Sequence, residues 1–245
     1  MRIATWNMER AGRGRAHEAK YDKVITSFCA DLIIITEPGP HFAIRYPQAV
    51  MSPAKRLGKD GPESWVAIVG HGLEPVDLDL PYGRLAAAAF SESFGVPIAI
   101  YGSILPWNAA VSQAPDVYAN VTLSFGDLFD RALHEQKSDI RALQSTFGQG
   151  HVFWAGDFNH PLVGSLHGFA SHARTGIVTA LEDLEMRAFN YDAPHAKPTA
   201  KSIDLICGPI SMTSEVVEHT FPASDGRPLS DHRAYLVDFG RIDLP

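Results

Sequence analysis

The sequence predicts an α/β protein in which two mixed β-sheets pack face to face with helices outside. Short apolar runs rich in β-branched and aromatic residues recur along the chain, three longer stretches carry apolar residues at helical spacing, and strands follow one another in the middle with no helix between them. The runs that read as strands are Ile3–Trp6, Leu32–Thr36, Trp65–Val69, Leu85–Phe90, Val96–Ile104, Val152–Ala155, Ile203–Ile206 and Ala234–Phe239, with Glu215–Phe221 as a further candidate. The first helix is expected over Ala16–Phe28, where Tyr21, Val24, Ile25 and Phe28 share one face. A second is expected over Gly126–Phe147, with Leu128, Phe129, Ala132 and Leu133 continuing to Ile140, Leu143 and Phe147, and a third over Thr175–Met186, with Ile177, Ala180, Leu181 and Leu184 on one face.

With 245 residues, 45% of them apolar and 20% charged, the chain can bury a sizeable core. No stretch reads as a linker, so a single domain spanning 1–245 is expected. The 21 Lys and Arg against 28 Asp and Glu give a net charge of −7. That excludes a surface that is basic all round; it leaves room for a local basic patch and suits a site that gathers carboxylates around a cation. Cys29 and Cys207 form neither a disulfide framework nor a zinc pattern, and both read as small buried hydrophobes in a reducing compartment. The opening residues Met1–Asn7 do not resemble a signal peptide and no apolar run reaches about 20 residues, so a cytoplasmic location without a membrane span is expected.

Polar residues recur where the apolar runs stop. Asn7 and Glu9 follow the first run, Glu37 follows the second, Gly156-Asp157-Phe158-Asn159 follows Val152–Ala155, Asp204 follows Ile203, and Ser230-Asp231-His232 precedes the last run. Each alone is an ordinary turn or cap residue. Neighbouring strand ends lie side by side, so together these carboxylates and amides can converge, and clustered carboxylates need a cation or shared protons. Oxygen donors with no nearby cysteine pair suit Mg2+ or Mn2+, the cations of phosphate chemistry. One histidine beside them adds a group that can move a proton or bind phosphate.

Thr5-Trp6-Asn7, Glu37 after its strand, Gly156-Asp157-Phe158-Asn159, Ile203-Asp204-Leu205-Ile206 and Ser230-Asp231-His232 resemble, in order and across almost the whole chain, the motifs of the endonuclease/exonuclease/phosphatase superfamily, which includes deoxyribonuclease I-like and apurinic/apyrimidinic endonuclease-like enzymes. The resemblance implies a four-layered α/β sandwich with its site at one end of the two sheets. It implies an Mg2+- or Mn2+-dependent phosphoric ester hydrolase. Asn7, Glu9, Glu37 and Asp231 would form the metal side. Asp157, Asn159, Asp204 and His232 would form the catalytic side, Asp157 orienting or deprotonating water, Asn159 binding the phosphate or steadying the nucleophile, and Asp204 holding the His232 ring. Either Asp157 or His232 can serve as the base. The leading substrate is nucleic acid, cut by nuclease or phosphodiesterase action; the alternative is a small-molecule or lipid phosphate, and the third reading is a non-catalytic binding module. No obligate protein partner is implied. The chain departs from the family at Thr36, where many members carry Gln, and at the end of its central strand, where no residue clearly fills the place of a phosphate-contacting Tyr or His and Ser103 and Asn108 are the candidates.

Arg10, Arg13 and Arg15 follow the first motif in a glycine-containing loop and can bind substrate phosphates or form a solvated loop, and Arg56 and Lys59 can add to the same funnel. Trp107 and Asn108 follow a strand, where Trp107 can stack on a base or pack on the core. His160 directly follows the third motif piece, where it can approach the substrate, though a surface position is the preferred reading, and His195 belongs to no ligand spacing.

Overall fold

The computed structural model describes residues 1–9, 15–53, 55–58, 61–78, 85–113, 118, 123–164, 170–197, 199–224 and 226–240. In chain order its strands begin with β1 (Arg2–Asn7), β2 (Leu32–Thr36), β3 (Val50–Met51), β4 (Lys55–Gly58), β5 (Gly61–Ser64), β6 (Val66–Gly70), β7 (Leu73–Pro75) and β8 (Ala86–Ser91). They continue with β9 (Ile98–Ile104), β10 (Val152–Asp157), β11 (Met186–Ala188), β12 (Asp204–Pro209), β13 (Val216–Thr220), β14 (Ala223–Ser224), β15 (Arg227–Pro228) and β16 (Ala234–Asp238). The helices are α1 (Arg15–Ser27), α2 (Phe42–Arg45), α3 (Ala110–Gln113), α4 (Phe125–Phe147) and α5 (Ala170–Asp183).

Two six-stranded sheets run in the orders β13-β16-β1-β2-β6-β3 and β11-β12-β10-β9-β8-β7. Both are mixed, the first with β1 and β2 parallel and the second with β9 and β10 parallel. Side chains alternate across a strand, so each strand serves two cores. Leu32 and Ile34 face the interior between the sheets, together with Ile3, Val66, Ile68, Ile100, Phe153 and Val237. Ile33 and Ile35 face the other way with Ala4 and Trp6, against Tyr21, Ile25 and Phe28 around α1. The outer face of the second sheet, through Tyr101, Val152, Trp154 and Leu205, is covered by Phe129, Leu133, Ile140 and Leu143 of α4 and Ile177 and Leu181 of α5. Three cores between four layers give the α/β sandwich that the sequence implied. Burial on both faces is why β2 reads as an unbroken apolar run.

The α4 helix starts where Ser124 accepts a hydrogen bond from the Asp127 amide at 3.2 Å, and it stops at Gly148, whose φ is 91°. The third helix differs from expectation: it begins earlier, at Ala170, and ends at Asp183. Leu184 keeps the apolar spacing, but Glu185 adopts φ 51°, and Met186 opens β11. Cys29 also departs from expectation. It is exposed, because the chain turns at φ 46° after Phe28 and swings the thiol outward, whereas Cys207 is buried.

Two glycines permit close approaches, one between the sheets and one between neighbouring strands of a sheet. A Cβ on Gly102 would lie 2.9 Å from Val66 Cγ1 and 3.1 Å from Ile34 Cγ2 across the gap between the sheets. Gly156 sits at φ 139°, opposite Ser103 in β9, and a Cβ there would collide with the Ser103 carbonyl oxygen. Gly156→Ala is therefore expected to destabilise the protein by about 3 kcal/mol or more, from backbone strain together with overpacking. Urea denaturation measures this, and a loss below about 1 kcal/mol would contradict the close approach.

Candidate active site

The topology gathers the polar strand ends at one end of the sandwich. β1 and β2 run parallel, so Asn7 pairs in register with Thr36 and Glu37 follows beside it. β10 and β12 run antiparallel, which sets Asp157 opposite Asp204. β16 runs antiparallel to β1, so Ser230, Asp231 and His232 arrive beside Asn7. Ser230 fixes that junction: its hydroxyl donates to the Asn7 carbonyl at 2.7 Å and accepts from the His232 amide at 3.0 Å.

Two side-chain hydrogen bonds cross from one sheet to the other. Asn7 Nδ2 donates to Asp157 Oδ2 at 2.9 Å, and His232 Nδ1 lies 2.7 Å from Asp204 Oδ2. Asp157 Oδ1 accepts from the Asn159 amide at 2.8 Å. Asn159 can turn back in this way because it adopts φ 56°, a conformation asparagine tolerates, and its Nδ2 donates to the Leu105 carbonyl at 2.9 Å. Asp204 is fully buried. Its carbonyl accepts from Asn190 Nδ2 at 2.8 Å and from the Ser202 hydroxyl at 2.7 Å, which anchors the strand where the carboxylate enters the site.

The electrostatics follow from this packing. Burial, reinforced by the charge of Asp204, raises the Asp157 carboxyl well above the usual carboxylate range, against the lowering effects of His232, the Asn159 amide and Asn7. Burial alone would lower the His232 imidazole, but the charge and hydrogen bond of Asp204, with Asp157 and Asp231, outweigh it and push it up to about 10. His232 is thus a cation at neutral pH, held between carboxylates, with Nε2 3.5 Å from Asp231 Oδ1.

Among the residues that the resemblance assigns to a metal, Asn7 Oδ1 accepts from the Glu9 amide at 2.8 Å, and Glu9 Oε2 accepts from the Asp231 amide at 3.3 Å. Glu9 and Glu37 take φ 48° and 50°, a strained conformation for these residues, at adjacent strand ends. The carboxylates of Glu9, Glu37 and Asp231 are not drawn together within 4.8 Å; among the described residues the trio that is so close is His195, Asp204 and His232. In that trio His232 Nδ1 already faces Asp204 Oδ2, and His195 Nδ1 accepts from the Lys197 amide at 3.0 Å. Hydrogen bonds thus occupy one ring nitrogen of each histidine and one oxygen of Asp204. The oxygen donors, in a site with far more carboxylate than cation, fit a hard divalent ion.

Other expected site residues fare differently. Arg10, Arg13 and Lys59 lie outside the described residues, as do the side chains of Arg15 and Arg56. Trp107 is half-buried against Trp65, with ring centroids 6.0 Å apart, while Asn108 is exposed. Ser103 is buried and accepts from Trp154 Nε1 at 2.8 Å, so its hydroxyl serves the core rather than a phosphate. His160 is not a surface residue: the turn at Asn159 directs it inward, edge-on to Phe129 at 5.2 Å. Sequence reasoning missed His195, which is buried with its ring 5.6 Å from that of His232, and the anchors Asn190 and Ser202. Nothing in their spacing announces them.

Neither a protein-family model nor a curated protein matches the chain by sequence. Solved structures match it along almost its whole length. The endonuclease domain of TRAS1, a telomere-specific non-LTR retrotransposon, superposes with a TM-score of 0.60 at 12% identity, covering 98% of each chain. An endonuclease/exonuclease/phosphatase family protein from Leptotrichia buccalis gives 0.62 at 13% identity, covering 98% of this chain and 99% of that one. The human Nocturnin catalytic domain with bound sulfate gives 0.62 at 13% identity, covering 98% and 94%. The chain has the endonuclease/exonuclease/phosphatase fold.

Proposed function

We propose that this chain is a single-domain, divalent-metal-dependent hydrolase of phosphodiester bonds that acts on nucleic acid. The observation that carries the reading is the pair of cross-sheet hydrogen bonds, Asn7 to Asp157 and His232 to Asp204, set beside Glu9, Glu37 and Asp231. The TRAS1 domain, an endonuclease by name, shares the fold and supports the choice of polymer.

Asp157 is the group that takes the proton of the attacking water. Its raised affinity for a proton makes it a usable base near neutrality, while Asn7 and the Asn159 amide fix its two oxygens. His232, already protonated, is ill-suited as the base. Its Nε2 N–H instead donates to a phosphate oxygen, and Asp204 holds the ring from the other side. Asn159 steadies the water or the phosphate. Asn7, Glu9, Glu37 and Asp231 would hold Mg2+ or Mn2+, which when bound supplies Lewis-acid stabilisation of charge on the phosphoryl and leaving oxygens.

A second reading, a small or lipid phosphoester as substrate, draws on the net charge of −7 and on Trp107 lying against Trp65 rather than standing free to stack on a base. The test is incubation with single- and double-stranded DNA, RNA and a small chromogenic phosphodiester, in Mg2+ or Mn2+ and in chelator. Polymer cleavage should fall at least about a hundredfold in chelator and return with Mg2+. Cleavage of the small ester alone would move the conclusion to the second reading. Chelator-insensitive cleavage, or no turnover of any substrate, would overturn the hydrolase as described.

A further inference from the structure

Asp204 presents only one of its carboxylate oxygens to His232. The other, Oδ1, is buried and has no hydrogen-bond partner among the described residues. A buried carboxylate oxygen without a donor is costly. The same pocket contains an unused donor. His195 is 6% exposed, its Nδ1 accepts from the Lys197 amide, and its Nε2 is buried without a hydrogen-bond partner among the described residues. With Nδ1 acting as the acceptor, the neutral ring carries its proton on Nε2. Burial and the charge of His232 lower the His195 imidazole, which keeps the ring neutral. A ring nitrogen of His195, a carboxylate oxygen of Asp204 and a ring nitrogen of His232 all lie within 4.8 Å of one another. A small ring rotation or a single water spans such a gap.

The loop that carries His195 is tied down on several sides. The His195 carbonyl accepts from Arg233 Nε at 3.1 Å, the Pro194 carbonyl accepts from the Tyr235 hydroxyl at 2.9 Å, and the His195 amide donates to the Ala200 carbonyl at 3.0 Å. Arg233 and Tyr235 immediately flank the start of β16, so the segment that delivers His232 also positions His195. The two imidazoles meet edge to face at 70°.

We propose that His195 is a positioning residue for this site: its Nε2 N–H donates to Asp204 Oδ1, directly or through one water, and completes a chain His195–Asp204–His232 that fixes the orientation of the His232 ring. The kinetic consequence rests on the phosphoester-hydrolase reading; the structural one does not. His195→Phe keeps a ring and removes the donor, while His195→Gln keeps an N–H at similar reach. The downfield proton resonance of the His232–Asp204 hydrogen bond, identified by its loss in His232→Gln, is recorded in all variants without substrate. In His195→Phe the resonance should shift or broaden and kcat should fall about tenfold with KM within about a factor of two, as when a supporting hydrogen bond is removed from behind a catalytic ligand. His195→Gln should restore the resonance and bring kcat to within about threefold of wild type. An unchanged resonance in folded His195→Phe, or equal losses in the Phe and Gln variants, would overturn the proposal. If wild type turns over no phosphoester, the resonance alone decides it, separately from the hydrolase reading.

Discussion

Asp157→Asn should lower turnover about a thousandfold while leaving the fold intact. Loss of a positioned general base costs about 10²–10⁴ in rate. Asparagine retains an oxygen for the Asn159 amide and fills the same volume. Its effect on stability carries a distinctive sign. The folded-state affinity of Asp157 for its proton is raised by burial and by Asp204, so the wild-type protein loses this contribution as pH rises from the usual carboxylate range through the folded value. The variant has no such proton to lose. The melting temperature of Asp157→Asn minus that of wild type, measured without metal, should therefore become more positive as pH rises. Near-wild-type turnover, or a difference that falls with pH, would remove Asp157 from the role of base.

His232→Gln should cost both activity and stability. Turnover is expected to fall about 10²–10⁴-fold, because a cationic donor to the phosphate is lost. Asp204 would keep its buried charge and lose the imidazolium beside it, a change that costs about 3–5 kcal/mol when one partner of a buried pair is removed. The folded-state value of His232, about 10, lies above its ordinary 6.5. Its stabilisation is thus fully present below about pH 6.5 and is lost as pH rises through about 10. The gap in denaturation free energy between wild type and His232→Gln should narrow across that window. A double variant, His232→Leu with Asp204→Leu, should recover much of the stability and none of the activity. A gap that stays constant or widens toward alkaline pH would contradict a protonated His232.

Much of the architecture was legible because it rests on local pattern. Runs such as Leu32–Thr36 are apolar on both faces, since each face meets a different core, and α4 shows its buried face through Leu128, Leu133, Ile140 and Leu143. The short pieces were not legible. β4 and β5 are four residues each and meet at Gly58 and Gly61, too short for an alternating pattern to stand out, and β11 is hidden behind a helical spacing that Glu185 interrupts. The candidate site divides in the same way. Asp157, Asp204 and His232 announce themselves as polar residues abutting apolar strands. His195 lies in the loop between β11 and β12 and reaches His232 only through the tertiary fold, and His160 is turned inward by the backbone of Asn159. Long-range contacts of this kind leave no periodic trace.

The hydrogen bond from Asn7 to Asp157 joins residues 150 positions apart, and the one from Ser230 to Asn7 joins residues 223 apart. Closing loops of that length carries an entropic cost that is recovered only when the enclosed structure is in place. A partly assembled chain holding the second sheet alone would bring Asp157 and Asp204 opposite each other with neither Asn7 nor His232 to relieve their repulsion. Such a species is electrostatically disfavoured, so the candidate site is assembled only when residues far apart in the sequence have met.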